Sequence, residues 1–541
     1  MVFPVAIYDT TLRDGTQGEG VSLSVDDKLK IAERLDRLGV HYIEGGWPGS
    51  NPKDMDFFQE VQKLGLKRSK VTAFGSTRRA YSAPENDPNL RRILESGVEA
   101  VAIFGKTWDF HVREALQVSL EENLAMIEES VKYLKENELE VIFDAEHFLD
   151  GFKANPDYAM AALQAAERGG ADCITLCDTN GGTLPHEIAE VVGYVSEHIT
   201  TETGIHCHND GELAVANTIA AVRAGASHVQ GTMNGYGERC GNANLISVIP
   251  NLQLKMGYSC IESERLEQLT AASKYIHEIA NQVPPTNQPF TGQSAFAHKG
   301  GMHVSAVRKH PETYEHLQPE RIGNKRRVLV SELSGQSNLL FKAEEMNIEL
   351  DQNDPTCKEI IENLKDMENR GYHYEAAEAS FELLVKRGLG QVADTFELDH
   401  FKILTDKEDN GSFNTEAVVK LNVEGRPVMT AAEGNGPVNA LDHALRKALG
   451  EFFPLIHDMY LSDYKVRVLD DSEATASTVR VLIESSDGRS TWSTIGVSTN
   501  IIEASWIALV DSIGYYFMKR ADDLAMVDKE TAPDLLSINN H

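Results

Sequence analysis

The sequence predicts an α/β protein: a closed (β/α)8 TIM barrel, then a helical linker region, then a duplicated βββα domain. Over the first ~255 residues, eight short β-branched runs alternate with longer amphipathic stretches, which is the pattern of a closed barrel. Polar residues follow these runs more often than they precede them. An internal repeat near the C-terminus predicts the last domain.

The eight apolar runs are the predicted strands of the barrel. They are Val5–Tyr8, Tyr42–Glu44, Val71–Phe74, Ala100–Phe104, Val141–Phe143, Cys173–Leu176, Ile205–Cys207 and His228–Met233. Between them lie helical patterns such as Asp26–Leu38 and Glu121–Lys135, the second with Ser119 as its N-cap. An open doubly wound sheet is the alternative, but it requires a Gly-rich phosphate-binding turn after the first strand, where none is present.

Charged and polar side chains gather at the carboxyl ends of these strands. They are Asp9, Arg13 and Asp14 after the first strand, Glu44 and Lys106 at the ends of the second and fourth, Glu146 after the fifth, Asp178 and Thr179 after the sixth, and His206 and His208 on the seventh. The connections from helix back to strand contain fewer polar side chains, as in Leu38-Gly39-Val40. TIM-barrel active sites form where the strands end, so we expect the chemistry at this face.

The chain is too long for one domain, and its patterns predict three domains and a tail. We expect a catalytic barrel over residues 1–275, linker subdomains that contribute to the active site over 276–395, a regulatory domain over 396–525 and a tail over 526–541. Within the regulatory domain, Val438-Asn439-Ala440 matches Ile502-Glu503-Ala504 at an offset of 64 residues (440 to 504). Each copy is a helix preceded by alternating strands, so a duplicated βββα unit is predicted, and shared helical periodicity is the alternative cause of the match.

The composition is that of a globular protein with an acidic surface. A formal net charge of −32 disfavours binding to nucleic acid or to anionic membranes. No apolar run approaches ~18 residues, so we expect no membrane-spanning segment. The start of the chain lacks the pattern of an export signal, and the six cysteines include no CxxC pair. We therefore expect a reducing compartment, the cytoplasm.

His206-Cys207-His208 is the first candidate for chemistry. Residues two apart on a strand point to the same side, so both imidazoles face one way and Cys207 faces the other. Two histidines aimed into a barrel mouth form half of a metal site, and a carboxylate from another strand completes it. Asp14 is the best candidate for that carboxylate. A pair of structural histidines is the alternative interpretation.

Arg13 lies beside Asp14 and is the second candidate. A guanidinium and a metal together can hold the negative charge that builds on the oxygen of an attacked keto carbonyl, and a structural ion pair at the barrel rim is the alternative. The third candidate is the Gly-rich run 231–244, whose glycines let the backbone approach a ligand closely. Asn242 is predicted to begin the last barrel helix there, and a tight rim loop is the alternative.

Three segments of the barrel resemble signatures of the 2-isopropylmalate, homocitrate and citramalate synthase family. They are Asp9-Thr10-Thr11-Leu12-Arg13-Asp14-Gly15-Thr16-Gln17, His206-Cys207-His208-Asn209-Asp210 and Gly237-Glu238-Arg239-Cys240-Gly241-Asn242. The resemblance continues through Phe296–His303 into a repeated C-terminal domain like the family's regulatory domain. Within the family, Glu44–Pro52 and Gly300–Val304 are most similar to the long citramalate synthases.

The resemblance implies a role for each residue of the site. It implies Asp14, His206 and His208 as metal ligands, with Asn242 as a fourth or water-linked one. It implies Arg13 on the 2-oxoacid carbonyl and Thr179 on its carboxylate. It also implies Glu146 and His303 as the groups that deprotonate acetyl-CoA, with Tyr314 beside them. It leaves open whether Glu146 or His303 is the base. Asp144 departs from the family's patterns, and we place the pocket for the oxoacid side chain near Phe74, Phe104 and Asp144.

What the resemblance implies is a Claisen-type condensation of acetyl-CoA with a 2-oxoacid, followed by thioester hydrolysis. Such an enzyme is an acyltransferase that converts the acyl group to an alkyl group. The implied oxoacid is pyruvate and the implied product (R)-citramalate, on a route to isoleucine. A divalent ion (Mn, Mg, Zn or Co), no organic prosthetic group, a homodimer and isoleucine as effector are expected with it.

Other functions remain as alternatives. Within the same family, 2-isopropylmalate synthesis from 2-oxoisovalerate would use the same residues. A retro-aldol lyase or a biotin-linked carboxyltransferase does not account for the duplicated C-terminal domain. A non-catalytic amino-acid sensor would be expected to have lost some of Arg13, Asp14, Glu146 and the two histidines, and all are present.

Overall fold

The computed structural model describes residues 3–329, 336–345, 355–407, 413–469 and 477–531. The chain divides into two compact units, Met1–Phe296 with His316–Arg326 and Ala297–Glu315 with Arg327–His541. The finer domain boundaries expected at residues 275 and 395 stay a prediction.

The first unit is built on a closed barrel of eight parallel strands, as predicted. Each strand pairs with the next along the chain, and β1 closes the ring by pairing with β8. The strands are β1 (Ala6–Asp9), β2 (Tyr42–Gly46), β3 (Lys70–Ser76), β4 (Ala100–Lys106), β5 (Glu140–Glu146), β6 (Cys173–Asp178), β7 (Glu202–Cys207) and β8 (His228–Gly231). This closed ring rules out the open doubly wound sheet.

Helices surround the barrel and join its strands. They are α1 (Val25–Leu38), α2 (Pro52–Val61), α3 (Pro88–Glu95), α4 (Asp109–His111), α5 (Leu120–Glu136), α6 (Phe148–Ala154), α7 (Pro156–Gly169), α8 (Pro185–His198), α9 (Ala214–Ala224), α10 (Leu245–Pro250) and α11 (Leu269–Ile279). Ser24 and Asp27 form a reciprocal capping box that starts α1. Ser119 accepts a hydrogen bond from the backbone N–H of Glu122 and starts α5, as predicted.

Most of the barrel strands are buried on both faces, which explains why the sequence shows them as continuous apolar runs. Outward-facing residues such as Ile7, Val101 and Phe143 have no exposed surface in the core between strands and helices. The inward side also carries hydrogen-bonding side chains, among them Tyr8 and Thr175, which are equally buried. Because buried polar groups need partners, they bond to one another and support the residues above them.

The second unit begins with short elements. They are β9 (Ala297–His298), α12 (Gly301–Lys309), β10 (Arg327–Val328), α13 (Gln336–Glu345), α14 (Pro355–Asn369) and α15 (Glu378–Gly388). Strands β9 and β10 pair in parallel. Helices α13, α14 and α15 share a small apolar core that includes Leu339, Ile360 and Phe381.

The rest of the second unit is the predicted duplication. The first copy is β11 (Phe396–Lys407), β12 (Phe413–Val423), β13 (Arg426–Gly434) and α16 (Pro437–Gly450), and the second is β14 (Tyr460–Val468), β15 (Val479–Ser486), β16 (Thr491–Ser498) and α17 (Ile501–Thr531). The two matched alanines, Ala440 and Ala504, are both fully buried against their sheets. A Cβ at Gly434 would lie 2.3 Å from the backbone nitrogen of Ala440, so close helix–sheet packing depends on small residues in this copy.

Helix α17 contains the stretch Ile501–Ala521, which is long and apolar enough to cross a membrane by length and composition alone. Half of its most apolar window is buried inside the protein, and Ala508, Leu509 and Ile513 belong to the core of the duplicated domain. We therefore assign it as a core helix. The helix continues to Thr531, past residue 526 where a tail was expected, and residues 532–541 lie outside the described part.

Candidate active site

A cavity of about 230 Å³ opens at the carboxyl ends of the barrel strands. Its walls are Arg13, Asp14, Gln17, Trp47, Phe74, Phe104, Asp144, Glu146, Cys177, Thr179, His206, His208 and Glu238. Nine of the twelve residues expected at the site are among them. Asn242 lies next to this group, whereas His303 and Tyr314 belong to the second unit.

Asp14, His206 and His208 form a buried cluster whose candidate donor atoms all lie within 4.8 Å of one another. The Nε2 atoms of His206 and His208 are 3.4 and 3.9 Å from Asp14 Oδ2. Cys207 points the other way, into the layer between strands and helices, where burial raises the pKa of its thiol. The strand alternation inferred from H-x-H therefore holds, although β7 ends at Cys207 and His208 lies just beyond it.

The protonation of this cluster fits a divalent cation. His206 Nδ1 bonds to the Oε1 of Gln230 at 2.9 Å, and an amide oxygen only accepts. In the neutral ring, Nδ1 therefore carries the hydrogen and the Nε2 lone pair faces the Asp14 carboxylate. Two acceptors facing each other in a buried site require a proton or a metal between them.

Unpaired atoms point to the same conclusion. Asp14 Oδ1 and Asn242 Oδ1 are buried without a hydrogen-bond partner among the described residues. Burial lowers the pKa of His208 to about 4, so its ring is neutral. Although burial raises the pKa of Asp14, the Arg13 guanidinium holds it well below its usual range. A neutral imidazole and an ionised carboxylate are the forms that bind metals.

Arg13 is fixed beside this cluster by a buried carboxylate. Its Nε donates to Glu44 Oε2 at 2.6 Å, its Nη1 is 3.4 Å from Asp14 Oδ2, and its guanidinium lies 3.8 Å from the ring centroid of Phe74. Glu44 has no exposed surface and also accepts from Tyr8 and Thr10, at 2.8 and 2.6 Å. The sequence showed Glu44 at the end of a strand but did not indicate that it orients Arg13.

Glu146 and Thr179 lie on neighbouring strand ends. The carboxylate of Glu146 forms an ion pair with Lys106, which lies opposite it in the β4–β5 register. Thr179 Oγ1 accepts from the backbone N–H of His147 at 2.9 Å, so its own hydroxyl hydrogen can still donate to a ligand. Lys106 was noted from the sequence as a polar strand end but was not proposed for the site.

Three aromatic rings form one wall of the cavity. Phe74 and Phe104 stack with centroids 5.5 Å apart, and Trp47 meets both edge-on at 5.7 Å. The indole N–H of Trp47 donates to Asn89 Oδ1 at 2.6 Å and holds the ring in place. Burial, with the charge of Glu44, raises the pKa of Asp144, which pairs with Phe104 in the β4–β5 register, to about 7. Trp47 was not expected here, and the Gly-Gly-Trp-Pro sequence after β2 was the available signal.

Asn242 does not begin the last barrel helix, as the sequence had suggested. Helix α10 begins at Leu245, with Asn244 as its N-cap, because the side chain of Asn244 accepts from the backbone of the first turn. Asn242 instead forms a backbone bridge with His208. Gly237, at φ 150°, makes room for it, since a Cβ there would lie 2.3 Å from Asn242 Nδ2.

His303 and Tyr314 are neighbours within the second unit. Their ring centroids are 4.3 Å apart, with His303 on α12 and Tyr314 about half exposed. Their expected part in catalysis stays a prediction.

Comparison with known proteins places the barrel in a family. A model of the HMGL-like family matches residues 4–276. The chain belongs to the HMGL-like family. Two further models match the remainder of this HMGL-like protein: the homocitrate synthase post-HMGL domain over residues 290–372 and the LeuA allosteric (dimerisation) domain over residues 375–517.

Five relatives that match nearly the full length of this HMGL-like protein at 46–57% identity are (R)-citramalate synthases. The one from Geobacter sulfurreducens is 57% identical over 517 residues, covering 95% of this chain and 98% of its own. The one from Aquifex aeolicus is 55% identical, with 97% and 99% covered. A probable 2-isopropylmalate synthase from Methanopyrus kandleri is 32% identical, with 96% and 99% covered. The predicted resemblance is confirmed, and these identities favour the citramalate synthases.

Proposed function

We propose that the protein condenses acetyl-CoA with pyruvate and hydrolyses the resulting thioester, which releases (R)-citramalate and CoA. One observation carries this proposal: Arg13, Glu146 and the Asp14–His206–His208 cluster meet in one cavity. They do so in a chain that is 57% and 55% identical to two (R)-citramalate synthases over nearly its full length. A sensor that had lost catalysis would have no need to keep this set together.

The residues suit the recognition of a 2-oxoacid. Asp14, His206 and His208, with Asn242 Oδ1 nearby, would hold a divalent ion (Mn, Mg, Zn or Co), which when bound supplies a Lewis acid for the keto oxygen. Arg13, held by Glu44, stabilises the negative charge that develops on that oxygen as the new carbon–carbon bond forms. The free hydroxyl hydrogen of Thr179 donates to the substrate carboxylate.

We propose that Glu146, which lines the cavity, takes a proton from the acetyl methyl group, with His303 as the alternative base. The ion pair with Lys106 restricts the carboxylate to one direction. The resulting carbanion attacks the keto carbon, and water then cleaves the thioester. We propose that His303 acts with Glu146, and that Tyr314 lies near the same step.

A panel of 2-oxoacids tests the substrate. With acetyl-CoA present, CoA release is measured for pyruvate, 2-oxobutyrate and 2-oxoisovalerate, and each product is identified by mass. We expect pyruvate to give the highest kcat/KM, because the aromatic rings of Trp47, Phe74 and Phe104 line the cavity and restrict the room for a branched side chain. If 2-oxoisovalerate is the better substrate, the protein is a 2-isopropylmalate synthase and the proposal is wrong.

Shortening the aromatic wall should change this preference. Trp47→Leu removes an indole that packs edge-on against both phenylalanines, and it widens the pocket. We expect the kcat/KM ratio of 2-oxobutyrate to pyruvate to rise about tenfold, since one methylene is worth roughly 1–3 kcal/mol in such a pocket. An unchanged ratio would show that Trp47 does not contact the oxoacid side chain.

The duplicated domain is proposed to control the enzyme. Segments 432–437 and 495–500 lead into α16 and α17, and backbone N–H groups at the start of a helix can receive a carboxylate. The carboxylate of isoleucine is the ligand we propose for them, in a homodimer. The match to a LeuA allosteric (dimerisation) domain supports an effector or dimer role, and dimerisation alone is the alternative.

Isoleucine should therefore inhibit the full-length enzyme. We expect inhibition of about 5–150-fold, the usual size of an allosteric coupling, with turnover reduced as well as affinity. Steady-state rates measured against isoleucine, with leucine and valine as controls, check this. If none of the three amino acids changes the rate, the domain serves dimerisation only.

We also propose that the protein works in the cytoplasm. The six cysteines all lie in the described part of the chain, where they form no disulfide, and five of them are buried. Thiols persist most readily in a reducing compartment.

A further inference from the structure

Gln230 lies on β8, has no exposed surface and bonds to both His206 and Asp144. We infer that Gln230, oriented by Asp144, fixes the tautomer of His206 and so presents the Nε2 lone pair to the metal ion. This makes Gln230 a positioning residue that acts through a ligand. The inference rests on the proposed function, because it concerns how this chain holds the metal.

The first step is the contact between Gln230 and the ring. The two residues lie opposite each other in the β7–β8 register, and Gln230 Oε1 is 2.9 Å from His206 Nδ1. Because an amide oxygen only accepts, this bond requires a hydrogen on Nδ1. The neutral ring then has its lone pair on Nε2, the atom that lies 3.4 Å from Asp14.

The second step is the direction of the amide. Reversing the amide of Gln230 would present an N–H to His206 and favour the other tautomer. Asp144 opposes this, because Gln230 Nε2 donates to its Oδ1 at 2.8 Å and also lies 3.3 Å from Thr175 Oγ1. A reversed amide would set its oxygen against that carboxyl oxygen.

The third step is the room for this network. Gly204 lies two residues before His206 on β7, so it faces the same side of the strand. A Cβ at this position would lie 2.7 Å from Thr175 Oγ1 and 3.1 Å from His228 Cδ2. Glycine therefore lets Thr175 stay where it accepts from Gln230.

The consequence concerns metal affinity. If the Nδ1 bond is lost, part of the population carries its hydrogen on Nε2, and that form cannot bind a metal there without losing the hydrogen. Removing such a partner of a histidine ligand typically costs about 10–100-fold in metal affinity. This orienting role would explain why an aspartate stands at position 144, where the sequence departs from the family's patterns.

The experiment measures Mn²⁺ binding to chelator-treated full-length protein by isothermal titration calorimetry. We expect Gln230→Met to weaken binding about 10–100-fold. Gln230→Glu should also weaken it at pH 8, because Asp144 is then mostly ionised and two carboxylates face each other. Combining Gln230→Glu with Asp144→Asn should recover most of the affinity. The amide introduced at position 144 can then donate to one oxygen of the carboxylate introduced at position 230, while the other oxygen accepts from His206.

Gln288→Met is the matched control. Gln288 is buried and bonds to a histidine, His277, at 3.1 Å in the same unit, but His277 is not part of the metal cluster. Its removal should leave Mn²⁺ affinity within about twofold of the wild type, since no ligand loses its partner.

The outcomes separate this inference from the proposed function. If the wild-type protein binds no Mn²⁺, Zn²⁺ or Co²⁺, the metal site itself is wrong. If the wild type binds and Gln230→Met binds equally tightly, the metal site stands and the inference is overturned. Loss of affinity in Gln230→Glu without recovery in the double variant also overturns it. If Gln230→Met does not fold, the comparison of Gln230→Glu with the double variant decides the question.

Discussion

Removing the divalent ion is expected to abolish turnover, and adding Mn²⁺ is expected to restore it. The Nε2 atom of His206 and the Asp14 carboxylate face each other at 3.4 Å in a buried site, an arrangement that a cation stabilises. Without it, the keto oxygen loses its Lewis acid and only Arg13 remains to hold the developing charge. CoA release is measured on protein whose metal content has been determined by mass spectrometry. Full activity in a verified metal-free sample would contradict the proposal.

Two neighbouring substitutions sharpen this test. His208→Ala should weaken metal binding and turnover together, because it removes one of three donors within 4.8 Å of one another. Cys207→Ser, one residue away, should leave metal affinity unchanged, since Cys207 is buried in the core on the other side of the strand. Equal effects of the two substitutions would mean that the histidines are structural.

Replacing Arg13 with lysine is expected to lower kcat by about 10²-fold or more, the scale of losing one charge-stabilising donor. Lysine keeps the charge but lacks the planar group that bonds Glu44 at one edge and faces Asp14 at another. The lysine ammonium group is then not held at the position where the oxyanion forms. Steady-state kinetics with pyruvate separate kcat from KM.

Arg78→Lys is the matched control for this substitution. Arg78 is also buried and also pairs with two carboxylates, Glu122 and Glu129, at 2.8 Å each, but it does not line the cavity. We expect it to change stability without a comparable loss of kcat. If Arg13→Lys alters only KM, Arg13 binds the ground state and does not stabilise the transition state.

The barrel and the duplicated domain could be predicted from the sequence because both depend on local, repeated patterns. Apolar runs indicate buried strands, and amphipathic stretches indicate helices with one buried face. The matched alanines indicate that each of the two copies packs a helix on its sheet. Capping residues such as Ser24 and Ser119 also act over three or four positions, so Ser119 marked the start of α5 correctly. The start of α10 was misplaced because two nearby asparagines, Asn242 and Asn244, both suit an N-cap.

Residues that act through a contact distant in sequence could not be identified in this way. Glu44, Trp47 and Gln230 lie 31, 42 and 24 residues from Arg13, Asn89 and His206, the groups that they bond. A sequence pattern shows that each follows or lies on a strand, but not which side chain across the barrel it meets. These contacts depend on strand register and on closure of the ring.

By itself, the sequence determined the order of the elements and the alternation that separates Cys207 from His206 and His208. It also contained the motifs that indicate a metal site and a condensation reaction. These follow from periods of 2 and 3.6 residues and from local motifs. Only the tertiary structure decided that Glu44 holds Arg13, that Trp47 narrows the cavity and that Gln230 faces His206. A closed barrel brings strand ends that are far apart in the chain within hydrogen-bond distance, and the partners that buried polar groups then find depend on three-dimensional proximity, which no local pattern records.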